Sequence, residues 1–186
     1  MVTALAVCAL VPSASAHTGF ENVDGLISGC AHPLTGWDHV LAMVAVGLWA
    51  AHLGGRARWA VPLTFVGVLT LSALIAQAVG RVPLTEPGIA ASVLALGLLI
   101  ATAARVPMSV GLVLTALFAS FHGFAHGAEM PATANGFAYA TGFVAVTAAL
   151  HILGLLSGEA LARAKQRVTP AVGWVIVASG LVIAFN

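Results

Sequence analysis

The amino-acid sequence predicts an all-α, polytopic membrane protein with six transmembrane helices that follow a cleavable signal peptide. Hydrophobic residues make up 60% of the 186 residues and charged residues only 7%, whereas soluble domains carry about 25% charged residues. Apolar stretches of transmembrane length recur along the chain between short polar loops. These stretches occupy most of residues 17–186, which are therefore expected to form a single membrane domain.

The first 16 residues have the pattern of a signal peptide. An apolar segment is followed by Ala-Ser-Ala at 14–16, the small-x-small pattern that precedes signal-peptidase cleavage. Cleavage would make His17 the N-terminal residue. An ordinary surface histidine is the favoured interpretation of His17, and chelation of a divalent ion by its amine and imidazole is the alternative. The shortness of the segment disfavours an uncleaved first helix. The more polar residues 18–30 are expected to form an external lead-in.

Proline, glycine and charged residues delimit the first three predicted helices. The first, at about 33–51, is followed by two glycines and two arginines. The second covers about 59–79, and the third covers about 87–104, where Pro87 suits the first turn of a helix. A run of about 19 residues spans a hydrocarbon core of about 30 Å, so each of these segments is long enough to cross a bilayer.

The last three predicted helices are delimited in the same way. The fourth covers about 109–126 and the fifth about 136–156. Residues 158–169 hold four charged side chains and are expected to form a loop. The sixth helix starts near Pro170 and runs to the C-terminus.

The basic residues predict how these helices are oriented. Six of the seven lysines and arginines follow the first, third and fifth predicted helices, and only Arg81 falls on the other side. Because cytoplasmic loops retain basic residues, the mature N-terminus and the C-terminus are expected in the periplasm of a bacterial inner membrane. Five of the six acidic residues fall on or beside that outer side, where they would concentrate cations.

Two clusters of histidines and carboxylates fall at this outer side. The first, AHPLTGWDH at 31–39, opens the first predicted helix, and the second, FHGFAHGAE at 121–129, closes the fourth. Imidazoles four residues apart on a helix share one face and can converge on one metal ion, to which carboxylates add oxygen donors. We expect the clusters to meet and to bind a divalent transition metal through His32, Asp38, His39, His122, His126 and Glu129.

Proline and glycine residues within the clusters predict local geometry. Pro33 and Gly36 make an irregular start to the first predicted helix, which would fold His32 back toward the other candidate ligands. Gly123 and Gly127 form a Gly-x-x-x-Gly pair that allows a neighbouring helix to approach closely. The first predicted helix is the candidate for that neighbour.

Two further histidines stand alone in predicted helices. For His52, at the inner end of the first, an interhelical hydrogen bond is the favoured interpretation. For His151, in the fifth, a packing role and a relay position on the path of a transported ion carry equal weight.

Composition excludes several other functions. Cys30 is the only cysteine outside the predicted signal peptide, so the mature chain can form neither a disulfide nor a Cys-x-x-Cys site. The net charge of +1, without a clustered basic surface, gives no sign of nucleic-acid binding. No phosphate-binding Gly-x-x-x-x-Gly-Lys-Ser/Thr loop is present, and no prosthetic group is expected. Two alternatives stay open, an intramembrane zinc-dependent hydrolase and a haem-binding membrane electron carrier.

The chain resembles the HupE/UreJ family of membrane metal permeases over nearly its whole length. The resemblance is carried by two motifs, HPxxGxDH at 32–39 and FHGxAHGxE at 121–129, together with the external Glu86 and the leader. The resemblance implies a transporter and not an enzyme. Its transported substrate would be Ni²⁺, which it would import for the maturation of hydrogenase or urease. Intracellular metallochaperones of these enzymes and the lipid bilayer are the implied partners. The functional positions that it implies are His32, Asp38, His39, Glu86, His122, His126 and Glu129.

Nitrogen and oxygen donors suit cobalt, zinc and copper as well as nickel. The choice of nickel therefore rests on the resemblance and not on the residues themselves.

Overall fold

The computed structural model describes residues 25–130, 135–164 and 168–185, which form seven α-helices and no strand. The predicted all-α class is thus confirmed for this part of the chain. The predicted signal peptide at 1–16 and His17 lie outside the described residues. The helices are α1 (Gly25–Thr35), α2 (Trp37–Leu53), α3 (Ala57–Val79), α4 (Thr85–Ala101), α5 (Met108–Glu129), α6 (Gly136–Ala164) and α7 (Val168–Phe185).

The lengths and apolar character of the helices identify a multi-pass membrane protein. Three of them, α3, α5 and α6, are long and apolar enough to cross a membrane. Taken together, α1 and α2 are also long and apolar enough to form one span, which is bent by 83°. Helix α4 and the apolar part of α7 are shorter, at 17 residues each, which corresponds to about 25 Å. The topology with six spans stays a prediction.

The start of the first span differs from the sequence prediction. A helix was expected from about residue 33 and an external lead-in before it, but α1 already begins at Gly25. Gly36 then adopts an extended backbone, with φ −103° and ψ 121°, and separates α1 from α2. Small residues explain the early helix, because Gly29 lies directly against the backbone of Tyr139 on α6. This close packing stabilises a short helix that local propensity would not predict.

Helix α6 is longer than predicted at its C-terminal end. Its expected end was near residue 156, with a charged loop after it, yet the helix continues to Ala164. Glu159 accounts for part of the extension, since its carboxylate lies 3.3 Å from Arg58 on α3 and 4.0 Å from Arg163 one turn along α6. Charges spaced four residues apart stabilise a helix instead of interrupting it.

Helix α2 lies at the centre of the molecule. Its side chains between Ala42 and Ala50 are buried on nearly all sides, including the large Trp49 and Met43. It packs against α6, α4, α3 and α1, while α3 packs on α5 and α4 packs on α7. The N-terminal end of this central helix carries Asp38 and His39 of the first predicted cluster.

Close packing between α2 and α6 depends on glycine. A Cβ atom added at Gly47 would overlap the carbonyl oxygen of His151, and one added at Gly154 would overlap that of Val44. We expect Gly47→Leu to lower the free energy of unfolding by about 3 kcal/mol or more, at or above the upper end of ordinary overpacking. The measurement is thermal unfolding of the purified protein in detergent.

Gly67 on α3 supplies the control for this substitution, because nothing lies within 4 Å of the position that a Cβ atom would take there. Gly67→Leu should leave the unfolding temperature unchanged. Equal unfolding temperatures for the two variants would contradict the close contact between α2 and α6.

Candidate metal centre

The last turns of α5 present two different faces. His122 and His126 are one turn apart and point to the same side, and both side chains are buried. Gly123 and Gly127 lie on the adjacent side, where added Cβ atoms would overlap carbonyl oxygens of α3. The expectation that the first predicted helix approaches these glycines is therefore wrong, and the neighbour is α3. Successive residues on a helix are rotated by about 100°, so the histidines face a different side from that on which the glycines contact α3.

The histidine face of α5 meets the bend between α1 and α2. The ring centroid of His126 lies 4.8 Å from that of His32 at the end of α1. It also lies 4.2 Å from the centroid of His39 in the first turn of α2. The bend at Gly36 thus brings His32 back beside the other histidines, as its neighbours Pro33 and Gly36 predicted. The structure brings together the two clusters, which are distant in sequence.

Two overlapping groups of side chains have the geometry of metal ligands. One group is His39, His122 and His126, and the other is His32, His126 and Glu129; in each, one ligand atom per residue lies within 4.8 Å of the others. All four histidines are buried and Glu129 is partly buried. His126 belongs to both groups and is the centre of the site.

Asp38 orients His39. Its Oδ1 atom lies 2.6 Å from the Nδ1 atom of His39 and also accepts the His39 backbone N–H at 2.9 Å. Because an ionised carboxylate can only accept, Nδ1 carries the proton. The Nε2 atom is buried and has no hydrogen-bond partner among the described residues, so its lone pair is available to a metal ion. A carboxylate behind a histidine ligand fixes its tautomer and raises its basicity.

Glu129 stands on the other side of the site. Its Oε2 atom lies 3.2 Å from Nε2 of His32 and 4.0 Å from Nδ1 of His126. Within the described part of the chain, neither ring nitrogen of His126 has a hydrogen-bond partner. Buried polar atoms without partners are rare and costly in folded proteins. Their presence at the point where the two groups overlap indicates a site built to receive a ligand.

Glu86 lies at the mouth of the site and not among its ligands. It lines a cavity of about 230 Å³ with Arg81 and Glu129, between the start of α4 and the end of α5. Glu129 therefore faces both the cavity and the histidines. Two carboxylates and one guanidinium line the cavity, and Glu129 is the residue that it shares with the candidate ligand groups.

His151 lies outside both ligand groups, deeper in the bundle. Its ring is buried and packs edge-on against Phe65, with 5.0 Å between the ring centroids. Phe65 in turn lies 5.6 Å from His122. Neither ring nitrogen of His151 has a partner in the part of the chain described here. His52, in the last turn of α2, belongs to neither ligand group.

The sequence predictions missed two residues of this region. Ser92 on α4 lies 3.0 Å from His122, and Phe65 on α3 lies between the rings of His122 and His151. A serine within an apolar predicted helix was a signal that could have drawn attention to Ser92. Phe65 carried no such signal, because aromatic residues are common in apolar helices.

Comparisons with known proteins agree with these motifs. A family profile described as "HupE / UreJ protein" matches residues 5–183. The chain is 40% identical over 181 residues to Protein HupE of Rhizobium leguminosarum bv. viciae. The aligned region covers 97% of this chain and 94% of that protein. No solved structure matches the chain. Both matches support the expectation that the protein is not an enzyme. The chain belongs to the HupE/UreJ family, as its two motifs predicted.

Proposed function

We propose that the protein imports a divalent transition-metal ion, with Ni²⁺ as the expected substrate, across the bacterial inner membrane. One observation carries this proposal: His39, His122 and His126 bring buried ring nitrogens to within 4.8 Å of one another at one end of a multi-pass helical bundle. Ionisable residues in membrane helices are costly unless they are paired or hydrated, and they commonly mark functional sites. Each of the three keeps at least one buried ring nitrogen that has no hydrogen-bond partner among the described residues, and an ion bound by these nitrogens best explains why they converge.

The ligand atoms favour a transition metal over the other common divalent ions. Mg²⁺ and Ca²⁺ prefer oxygen ligands, whereas imidazole nitrogen suits nickel, cobalt, copper and zinc. Resemblance to the metal permeases of the family supports nickel among these ions. The same resemblance supports delivery to the metallochaperones of hydrogenase or urease inside the cell.

The arrangement of rings supports a path through the molecule. Ions would gather at the cavity of Glu86 and Glu129 and then bind at His126 and the neighbouring histidines. From His122 the line of rings continues through Phe65 to His151 on α6, with centroid separations of 5.6 and 5.0 Å. His151, with two unpartnered ring nitrogens among the described residues, would receive the ion on its way inward.

The membrane potential would supply the driving force. A cell interior negative by about 100 mV favours entry of a divalent cation by about 4.6 kcal/mol, twice the value for a single charge. Import driven in this way needs no nucleotide hydrolysis.

Uptake of radioactive nickel into proteoliposomes tests the proposal. The initial rate should rise as a potassium diffusion potential makes the vesicle interior more negative, because the potential acts on both charges of the ion. Calcium uptake under the same potential should stay at the level of protein-free vesicles. Nickel uptake no faster than in protein-free vesicles would overturn the proposed function.

A further inference from the structure

Ser92 is a buried polar residue on α4, a helix that is otherwise almost entirely apolar. Its side chain is fully buried, with 0% of its surface exposed. The hydroxyl oxygen lies 2.7 Å from the carbonyl oxygen of Ile89 and 3.0 Å from Nε2 of His122. These two contacts connect α4 to the histidine face of α5.

The two hydrogen bonds determine where the proton of His122 lies. A serine hydroxyl has one hydrogen to donate, and a carbonyl oxygen can only accept it. Ser92 therefore donates to Ile89 and accepts from His122, so that Nε2 of His122 carries the proton.

The other ring nitrogen supports the same assignment. Nδ1 of His122 is buried and has no hydrogen-bond partner among the described residues. A proton on Nδ1 would leave a buried N–H group unsatisfied, which costs about 1–3 kcal/mol. With the proton on Nε2, the group left without a partner is the Nδ1 lone pair, which a metal ion can use.

We propose that Ser92 is a positioning residue that holds His122 in its Nε2-protonated tautomer and so presents Nδ1 to the transported ion. The assignment rests on the proposed metal site. Asp38 does the corresponding work for His39, but from the Nδ1 side. The two histidines of one ligand group therefore offer different nitrogens, Nε2 from His39 and Nδ1 from His122.

Nitrogen-15 NMR of metal-free protein with labelled histidines tests the assignment directly, because protonated and unprotonated ring nitrogens resonate far apart. The His122 signals are identified by their loss in His122→Asn. In the wild type, His122 should show a protonated Nε2 and an unprotonated Nδ1. In Ser92→Ala this preference should be lost, since no acceptor remains for Nε2–H.

Calorimetric titration with nickel supplies the second measurement. Removing a hydrogen-bond partner behind a metal ligand typically weakens binding about 10–100-fold, and Ser92→Ala should raise the dissociation constant by that factor. Thr115→Val is the matched control. Thr115 is a fully buried residue on α5, and its hydroxyl donates to the carbonyl oxygen of Gly111 at 2.8 Å. Thr115→Val should retain the His122 tautomer and the affinity of the wild type.

The outcomes separate this assignment from the proposed function. A wild-type protein that binds no nickel would overturn the proposed function and this assignment with it. A wild-type protein that binds nickel, beside a Ser92→Ala variant with unchanged affinity and unchanged His122 signals, would overturn only the role of Ser92. A wild-type His122 protonated on Nδ1 would also overturn that role, whatever the affinity.

Discussion

Replacing His126 by alanine should abolish nickel uptake, with a fall of more than about 100-fold in the initial rate. His126 is shared by both groups of candidate ligands, so its loss leaves each group with two residues. Removing a partner behind a metal ligand costs up to about 100-fold, and removing a ligand common to both groups should cost more. Uptake of radioactive nickel by cells with equal amounts of membrane-inserted protein measures the effect.

His52→Ala is the matched control, because His52 lies in the last turn of α2 and outside both groups. It should transport nickel at nearly the wild-type rate. The ring of His126 also lies 4.3 Å from that of Phe143, so thermal unfolding of His126→Ala in detergent must show that the fold is retained. A folded His126→Ala protein with more than half of the wild-type uptake would contradict the proposed site.

The meeting of the two clusters was predictable because it depends on periodicity and charge. The spacing of His122, His126 and Glu129 places them on one helix face, and the distribution of basic residues places that face at the same end of the bundle as Asp38 and His39. Neither step requires knowledge of how the helices pack. The structure brings these side chains together in the arrangement that the spacing predicted.

Helix neighbours were not predictable in the same way. A Gly-x-x-x-Gly pair shows that some helix approaches closely, but it does not identify that helix. Gly123 and Gly127 pack on α3, while the histidines of the same turns face α1 and α2. One face of α5 thus packs closely against α3, and a different face of the same helix carries the candidate metal ligands.

The extent of α1 and α6 depended on tertiary contacts that the sequence does not display. The residues before Pro33 are polar and glycine-rich by composition, but as a helix they lie against the backbone of α6 through Gly29 and against that of Asn135, just before α6, through Gly25. The charged segment after residue 156 resembles a loop by composition, yet Glu159 pairs with Arg58 on a different helix. In both places a contact between helices outweighed the local composition.

Replacing Asp38 by asparagine should lower nickel uptake by about 10–100-fold, the range observed when a partner behind a histidine ligand is changed. The amide oxygen of asparagine can still accept the Nδ1–H of His39, which Asp38 accepts at 2.6 Å, so the ring keeps its orientation. The negative charge is lost, and with it the increase in basicity that the carboxylate gives to Nε2.

Glu159→Gln is the matched control for this loss of charge. Its carboxylate lies near the C-terminal end of α6 and pairs with Arg58, and its side chain is 25% exposed, compared with 18% for Asp38. If loss of any partly buried carboxylate impaired the protein, both variants would lose uptake equally, and the assignment of Asp38 to the metal site would be wrong. Because only Asp38 of these two holds a candidate ligand, we expect Glu159→Gln to transport nickel at nearly the wild-type rate while Asp38→Asn does not.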